Sequence, residues 1–265
     1  MEISTNPAHR LQTLIADGNT LAQRVWSDSQ HQLLISNAWR TLLGSETSTT
    51  SDLLHCHAFV LDLIQEVRIA ISSVTFDGTD IALTHINLVE SVFAHVTIFD
   101  PWRILTDGIK ERTWEGLEFC VAVLDGFFPP LIHVSQGDFN EILAGISSLT
   151  RDTKFCNIDP ILKSLIIRNL EILARRFCYF RISGHKGLQL AFEANLGSVL
   201  LHQKLIKELL TSSDRVEEKK NWRKFQKILE RVALLIGMSA YNSEPMLERL
   251  FNPFASIEPT PVEPM

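Results

Sequence analysis

Prolines decide where this chain can be helical. Four of the ten prolines fall after residue 252, and those before it sit at a few sharply defined places. Three stand singly behind an Asn or Asp, in Asn6-Pro7, Asp100-Pro101 and Asp159-Pro160. An Asn or Asp side chain can accept from the unpaired N–H groups of a first helical turn. Proline at the first helical position sacrifices no bond the helix would have made. Each pair therefore predicts a helix start. Phe127-Phe128-Pro129-Pro130 has the opposite effect and interrupts any helix that reaches it. Proline has no N–H to donate and pushes the preceding residue out of the α region. With only 12 glycines among 265 residues, the intervening stretches favour long helices.

The apolar pattern fills those stretches. A first helix is predicted from Pro7 to Asp17-Gly18, and Asn19 or Thr20 caps a longer one ending near Leu43-Gly44. Residues 45–51 are a polar loop. Asp52 opens a helix whose Leu53, Val60, Ile64, Val67 and Ile71 share one face, and Ser72 to Thr79 breaks it. Further helices are predicted over 80–97, after Asp100-Pro101, from a Thr113 cap to about Phe127, and over 138–150. After Asp159-Pro160, the residues Leu162, Ile166, Leu170, Leu173, Phe177 and Phe180 form one stripe. Ser183-Gly184 turns the chain into a helix reaching about Leu210. A basic helix over 214–237 and a short helix ending near Phe251 complete the series. Period-2 strands between turn signals are missing, so the expected fold is all-α, an irregular bundle of about nine or ten helices.

Composition agrees with a folded chain. Hydrophobic residues make up 45% and charged residues 21%, so a core can form and wholesale disorder is excluded. Cys56, Cys120, Cys156 and Cys178 lie far apart in apolar stretches with no CxxC, which predicts buried, reduced thiols. Met1 to Arg10 has no apolar signal core, and no uncharged run reaches the roughly 18 residues of a membrane span. The expected location is the cytoplasm.

Charge divides the chain unevenly. Residues 1–159 carry 9 Lys/Arg against 20 Asp/Glu, whereas residues 160–249 carry 16 against 9. This suggests an acidic helical part over 1–158, a basic helical part over 159–251 packed on it, and a Pro-rich tail over 252–265. The basic helix concentrates the signal. Lys220, Arg223, Lys224, Lys227 and Arg231 recur at helical spacing, while Trp222, Phe225, Leu229, Val232 and Ile236 form another face. The cations are the candidate partner-binding residues. They could meet an acidic protein, nucleic-acid phosphates or an anionic membrane surface, or remain a solvated face paired with nearby acids. A second candidate is the turn Arg181 to Gly187, where Arg181, Ser183, His185 and Lys186 stand at a helix N-terminus suited to an anion. A plain helix–helix turn accounts for its glycines equally well.

Metal and cofactor chemistry finds no foothold. His55 and His57 sit two apart and diverge on a helix, and His85, Glu90 and His95 do not share a face. No GxSxG, P-loop or GxGxxG occurs, so neither a nucleophile elbow nor a nucleotide cofactor is expected.

Arg24 and His31 have six residues between them on the predicted helix, a spacing that resembles the Arg-x4–6-His motif of the HEPN ribonucleases. In that family the pair meets across a dimer interface and cleaves RNA through its own 2′-hydroxyl. The resemblance implies a catalytic role for Arg24 and His31 in a homo-oligomer. Val25 departs from the pattern, since the residue after the arginine is usually polar there. Within residues 162–197, the run Tyr179 to Gly184 with Gly187, Leu188, Ala191, Glu193 and Gly197 is similar to uncharacterised bacterial helical proteins. That resemblance implies a bacterial mobile-element or defence setting and carries no activity. The leading expectation is a non-catalytic interaction protein whose basic helix binds a protein partner. A ribonuclease and a nucleic-acid binder are the alternatives.

Overall fold

Two of the three Asx-Pro pairs start helices in the computed structural model, which describes residues 2–3, 5–29, 31–42, 49–128, 132–133, 136–211 and 214–237. Asn6 Oδ1 accepts from the N–H groups of Ala8 (2.9 Å) and His9 (3.3 Å), opening α1 (Pro7–Ser29). Asp159 Oδ1 accepts from Ile161 (2.9 Å) and Leu162 (3.2 Å), opening α8 (Pro160–Cys178). Between and beyond them run α2 (Ile35–Leu42), α3 (Thr50–Ser73), α4 (Thr79–His95), α5 (Trp102–Gly108), α6 (Glu111–Asp125) and α7 (Gln136–Phe155). After α8 come α9 (Phe180–Leu201), α10 (Gln203–Thr211) and α11 (Val216–Leu235). One short antiparallel pair, β1 (Glu2–Ile3) with β2 (Ile132–His133), accompanies these eleven helices among the described residues. The fold is all-α. No described helix is long and apolar enough to cross a membrane. The helix expected near Phe251 and the tail over 252–265 lie outside the described residues.

Several expected boundaries shift for physical reasons. Asp100 does not cap α5. Its carboxylate turns back to accept from the Thr97 N–H (2.7 Å) and hydroxyl (2.9 Å), and Pro101 takes the cap position. Thr113 is not a cap either but a buried residue inside α6, whose cap position is Lys110. Thr49, rather than Asp52, caps α3. Asp52 lies at the third helical position and returns a bond to the Thr49 N–H (3.0 Å), a reciprocal capping box. The expected break at Ser183-Gly184 is a kink inside α9, with Gly184 at φ 56° and ψ −161°.

The chain forms two compact units. The first comprises Met1–His133 with Cys178–Gly184, and the second Val134–Phe177 with His185–Met265. Helix α7 comes from the acid-rich stretch but belongs to the second unit.

In the first unit α1 packs against α2, α3, α5 and α6, burying Ala8, Leu11, Leu14 and Ile15. The predicted face of α3 is fully inside, with Leu53, Val60, Ile64, Val67 and Ile71 all buried. The predicted stop at Gly18 does not occur, and α1 runs through it. Gly18 instead gives Trp102 room. A Cβ at residue 18 would sit 2.0 Å from Trp102 Cζ2. Asn19 does not cap a second helix; its Oδ1 accepts from Trp102 Nε1 (2.8 Å) and Thr106 Oγ1 (3.0 Å). Trp102 is held in turn against Trp39, edge to face with ring centroids 5.3 Å apart.

In the second unit the stripe of α8 is buried as its spacing demands, at Leu162, Ile166, Leu170, Leu173 and Phe177. The last residue of the expected stripe, Phe180, is also buried but belongs to the first unit, past a turn at Tyr179 that ends α8. The stretch expected to continue to Leu210 is divided at His202 into α9 and α10. Two amides are sealed in these helices. Asn169 and Asn195 each donate to the carbonyl four residues back, on Leu165 and Ala191 (2.8 Å each).

None of the four cysteines is in a disulfide, but they are not uniformly buried. Cys56 and Cys120 are, and burial pushes the Cys120 thiol up to about 11 and the Cys56 thiol up further still. Cys156 is half-buried, and Cys178, at the last turn of α8, is exposed.

Two measurements check this packing. Gly→Ala inside a helix ordinarily stabilises by roughly 0.5–1 kcal/mol. Gly18→Ala should instead destabilise by about 1–3 kcal/mol in denaturant unfolding, because a sealed indole cannot yield. A higher denaturation midpoint for the variant would contradict the close approach. Alkylation of the native chain at neutral pH should label Cys156 and Cys178 well before Cys56 and Cys120. Equal rates at all four, read by peptide mass mapping, would contradict the burial.

Candidate functional site

Helix α11 supplies the most charged surface of the second unit. Its apolar residues Trp222, Phe225, Leu229 and Val232 are buried, with Ile236 just beyond its end. The helix packs on α7, whose Phe139, Ile142, Ile146 and Leu149 are buried as well. That orientation turns Lys220, Arg223, Lys224, Lys227 and Arg231 toward solvent.

The five cations are not equivalent. Lys224 Nζ reaches Asp152 Oδ2 at 2.9 Å, and Arg231 Nη1 reaches Glu141 Oε1 at 2.6 Å. Both acids lie on α7, and residue 152 pairs with 224 while 141 pairs with 231, so the two helices run antiparallel. Lys220 pairs weakly within its own helix, 3.4 Å from Glu217. Arg223 and Lys227 have no acidic partner among the described residues, and both are exposed.

A helix turns about 100° per residue, so Val216, Arg223, Lys227 and Leu234 fall within about 20° of one line. Val216 is 66% exposed and Leu234 62% exposed. The outer line of α11 thus has two unneutralised cations at its centre and an apolar side chain toward each end. At about 1.5 Å of rise per residue, it is about 27 Å long. The sequence pattern identified the cations but not the two apolar ends, nor Asp152 and Glu141 as the partners of Lys224 and Arg231. The acids were visible on the 138–150 helix and just past it, but their alignment depends on how α7 and α11 dock.

Three of the four residues named in the turn at 181–187 have partners within the chain. Within the first unit, Arg181 donates to the Leu42 carbonyl (3.0 Å) and to Asp17. Ser183 Oγ donates to the Tyr179 carbonyl (3.2 Å), which also takes the N–H groups of Ile182 and Ser183. Within the second unit, His185 Nε2 donates to the Ile236 carbonyl (2.7 Å). Lys186 is exposed. Gly184 is required where it stands: its φ is positive, and a Cβ there would lie 2.0 Å from Arg10 Nη1.

Arg24 and His31 do not share a helix. Helix α1 ends at Ser29, because the chain beyond it is drawn into pairing with the segment before α5. Trp102 N donates to Leu33 O (2.7 Å), Ile35 N to Asp100 O (2.9 Å) and Ser36 N to Ile98 O (2.8 Å). Both side chains are exposed, and only His31 borders the cleft beside α5.

The histidines of α3 diverge as their spacing requires. His55 bonds the Ser51 carbonyl at the surface, and His57 donates to the Phe93 carbonyl (3.1 Å). Burial holds the His57 imidazole below its ordinary pKa, against the opposing pull of that carbonyl. Among the described residues no three His, Cys, Asp or Glu side chains converge as metal ligands.

No family profile, curated protein or solved structure matches this chain.

Lys224 holds the Asp152 carboxyl below the usual carboxylate range, first by its hydrogen bond and then by its charge. The folded pKa is the lower one, so the pair's stabilisation is complete above the ordinary Asp range. It fades as pH falls through the depressed value. Lys224→Ala should return the Asp152 titration, followed by carboxyl NMR, toward the ordinary value of about 3.9. An unchanged midpoint would remove Lys224 as the cause.

Proposed function

We propose that this chain is a non-catalytic interaction protein and that the outer line of α11 binds an acidic protein partner. One observation carries the reading. Lys224 and Arg231 are neutralised by α7, yet Arg223 and Lys227 on the same helix are exposed and meet no acid among the described residues, between exposed Val216 and Leu234. Surface ion pairs are worth little to folding, about 0–1 kcal/mol. The two unpaired cations therefore have no evident structural role. A partner carrying two carboxylates between apolar side chains would complement the line in both charge and hydrophobicity.

A protein fits better than nucleic acid. Phosphate binding is driven by many cations, each releasing counter-ions, and affinity grows with their number. Here the outer line offers two unneutralised cations, and the whole chain has a net charge of −6. The apolar ends would face water on a phosphate backbone but would be covered by a protein.

The test is capture on immobilised chain with nuclease present, comparing wild type, Arg223→Glu/Lys227→Glu and a Lys186→Glu control. Circular dichroism should be the same for all three, because the altered side chains are exposed. The expected result is a stoichiometric protein bound by wild type and control, and at least about tenfold less bound by the double reversal. Equal capture by all three chains, or capture abolished by nuclease, overturns the reading.

A further inference from the structure

The first unit holds a second surface that the interaction reading does not use. A cleft of about 460 Å³ opens between the C-terminal half of α1 and α5. That volume is within the roughly 300–1,000 Å³ usual for small-molecule sites. Ala22 and Leu33 form its apolar floor with Trp102 behind them, and the exposed Trp26 borders it. Trp26 is 54% exposed, whereas Trp102 behind the floor is fully buried.

The floor is rigid. Trp102 is fixed by Trp39, by the Asn19 carbonyl on its indole N–H, and by Gly18, where a Cβ would collide with its ring. Its one polar atom is already satisfied, so it adds no polar demand to the cleft. The uncharged polar lining includes two exposed carboxamides, Gln23 and Gln32, each able to donate and accept, together with Asn19 and Thr106, and His31 borders the cleft as well. The two ionised groups of the lining neutralise one another, Arg103 Nε lying 3.2 Å from Asp107 Oδ2.

We propose that this cleft binds a neutral, planar heteroaromatic molecule of purine-nucleoside size. Its ring stacks on the Trp26 indole, and its polar edge meets the carboxamides of Gln23 and Gln32. An aromatic ring bordering a concave apolar site offers a stacking face, and the amides match the alternating donors and acceptors of a nucleobase edge. With Arg103 already paired to Asp107, the cleft favours the uncharged nucleoside over its phosphate.

Adenosine and guanosine are the probes, titrated into the full chain by calorimetry and by ligand-observed NMR, with adenosine monophosphate alongside. Saturable binding of at least one nucleoside is expected, weaker for the monophosphate. Trp26→Ala should weaken binding about tenfold or more, the usual loss when a stacking ring is removed. Ala22→Leu, which fills the floor and leaves Trp26 in place, should weaken it as well. Circular dichroism and thermal melting establish that both variants are folded. No saturable binding of either nucleoside at millimolar concentration overturns the proposal. So does binding that both folded variants retain in full.

Discussion

A buried guanidinium organises the first unit. Arg10 is the one charged residue in the buried class among the described residues. Sealing a cation from water costs several kcal/mol unless an opposite charge and hydrogen bonds accompany it. Glu66 on α3 meets it at 2.8 Å, and Gly184 closes over it with no side chain of its own. One side chain thereby fixes the position of α3 relative to α1 and the conformation of a residue far along the chain. The rest of α1 works in the same way. Asn6 donates to the Val121 carbonyl and to Asp125 on α6, Asp17 takes Arg181, and Gly18 and Asn19 seat Trp102 of α5. Each of these contacts is specific in geometry, whereas the apolar residues between them supply most of the area.

The second unit handles charge differently. Its α7–α11 ion pairs are exposed and join helices already docked by apolar faces. The whole unit carries 17 Lys/Arg against 15 Asp/Glu, so the basic excess of residues 160–249 is largely offset once Arg181 is counted with the first unit and the acids of residues 134–159 and 250–265 are added. Against that near balance, a cation without a counter-charge is informative. Arg223 and Lys227 stand out because Lys224 and Arg231, beside them on the same helix, are paired.

What the sequence made legible was local. Asn6-Pro7 and Asp159-Pro160 start helices because a cap needs only its own next few residues. The buried stripes of α3 and α8 followed from spacing alone, as did the division of α11 into a buried and a charged face. What failed depended on distant partners. Gly18 and Asn19 suggested a helix end until Trp102 supplied the reason for both. Asp100 looked like a cap, but Thr97 offered it two donors at once. The acid that Arg181 meets, Asp17, lies 164 residues away and could not be read from the turn. At the candidate surface, all five cations have equal standing in the helical pattern. Only the docking of α7 separates the neutralised pair from the unneutralised one.

The last piece of the first unit's core arrives late. Tyr179 and Ile182 belong to that core, and Tyr179 donates its hydroxyl to the Asp52 carbonyl near the start of α3 (2.9 Å). Both residues are translated only after α7 and most or all of α8, which belong to the other unit. On the ribosome, helices α1 to α6 therefore emerge with a gap in their interior, and residues 134–177 must follow before it can be filled. Nascent chains usually complete one domain before starting the next. Here the order of synthesis interleaves the two, so the first unit waits on the second for its final side chains.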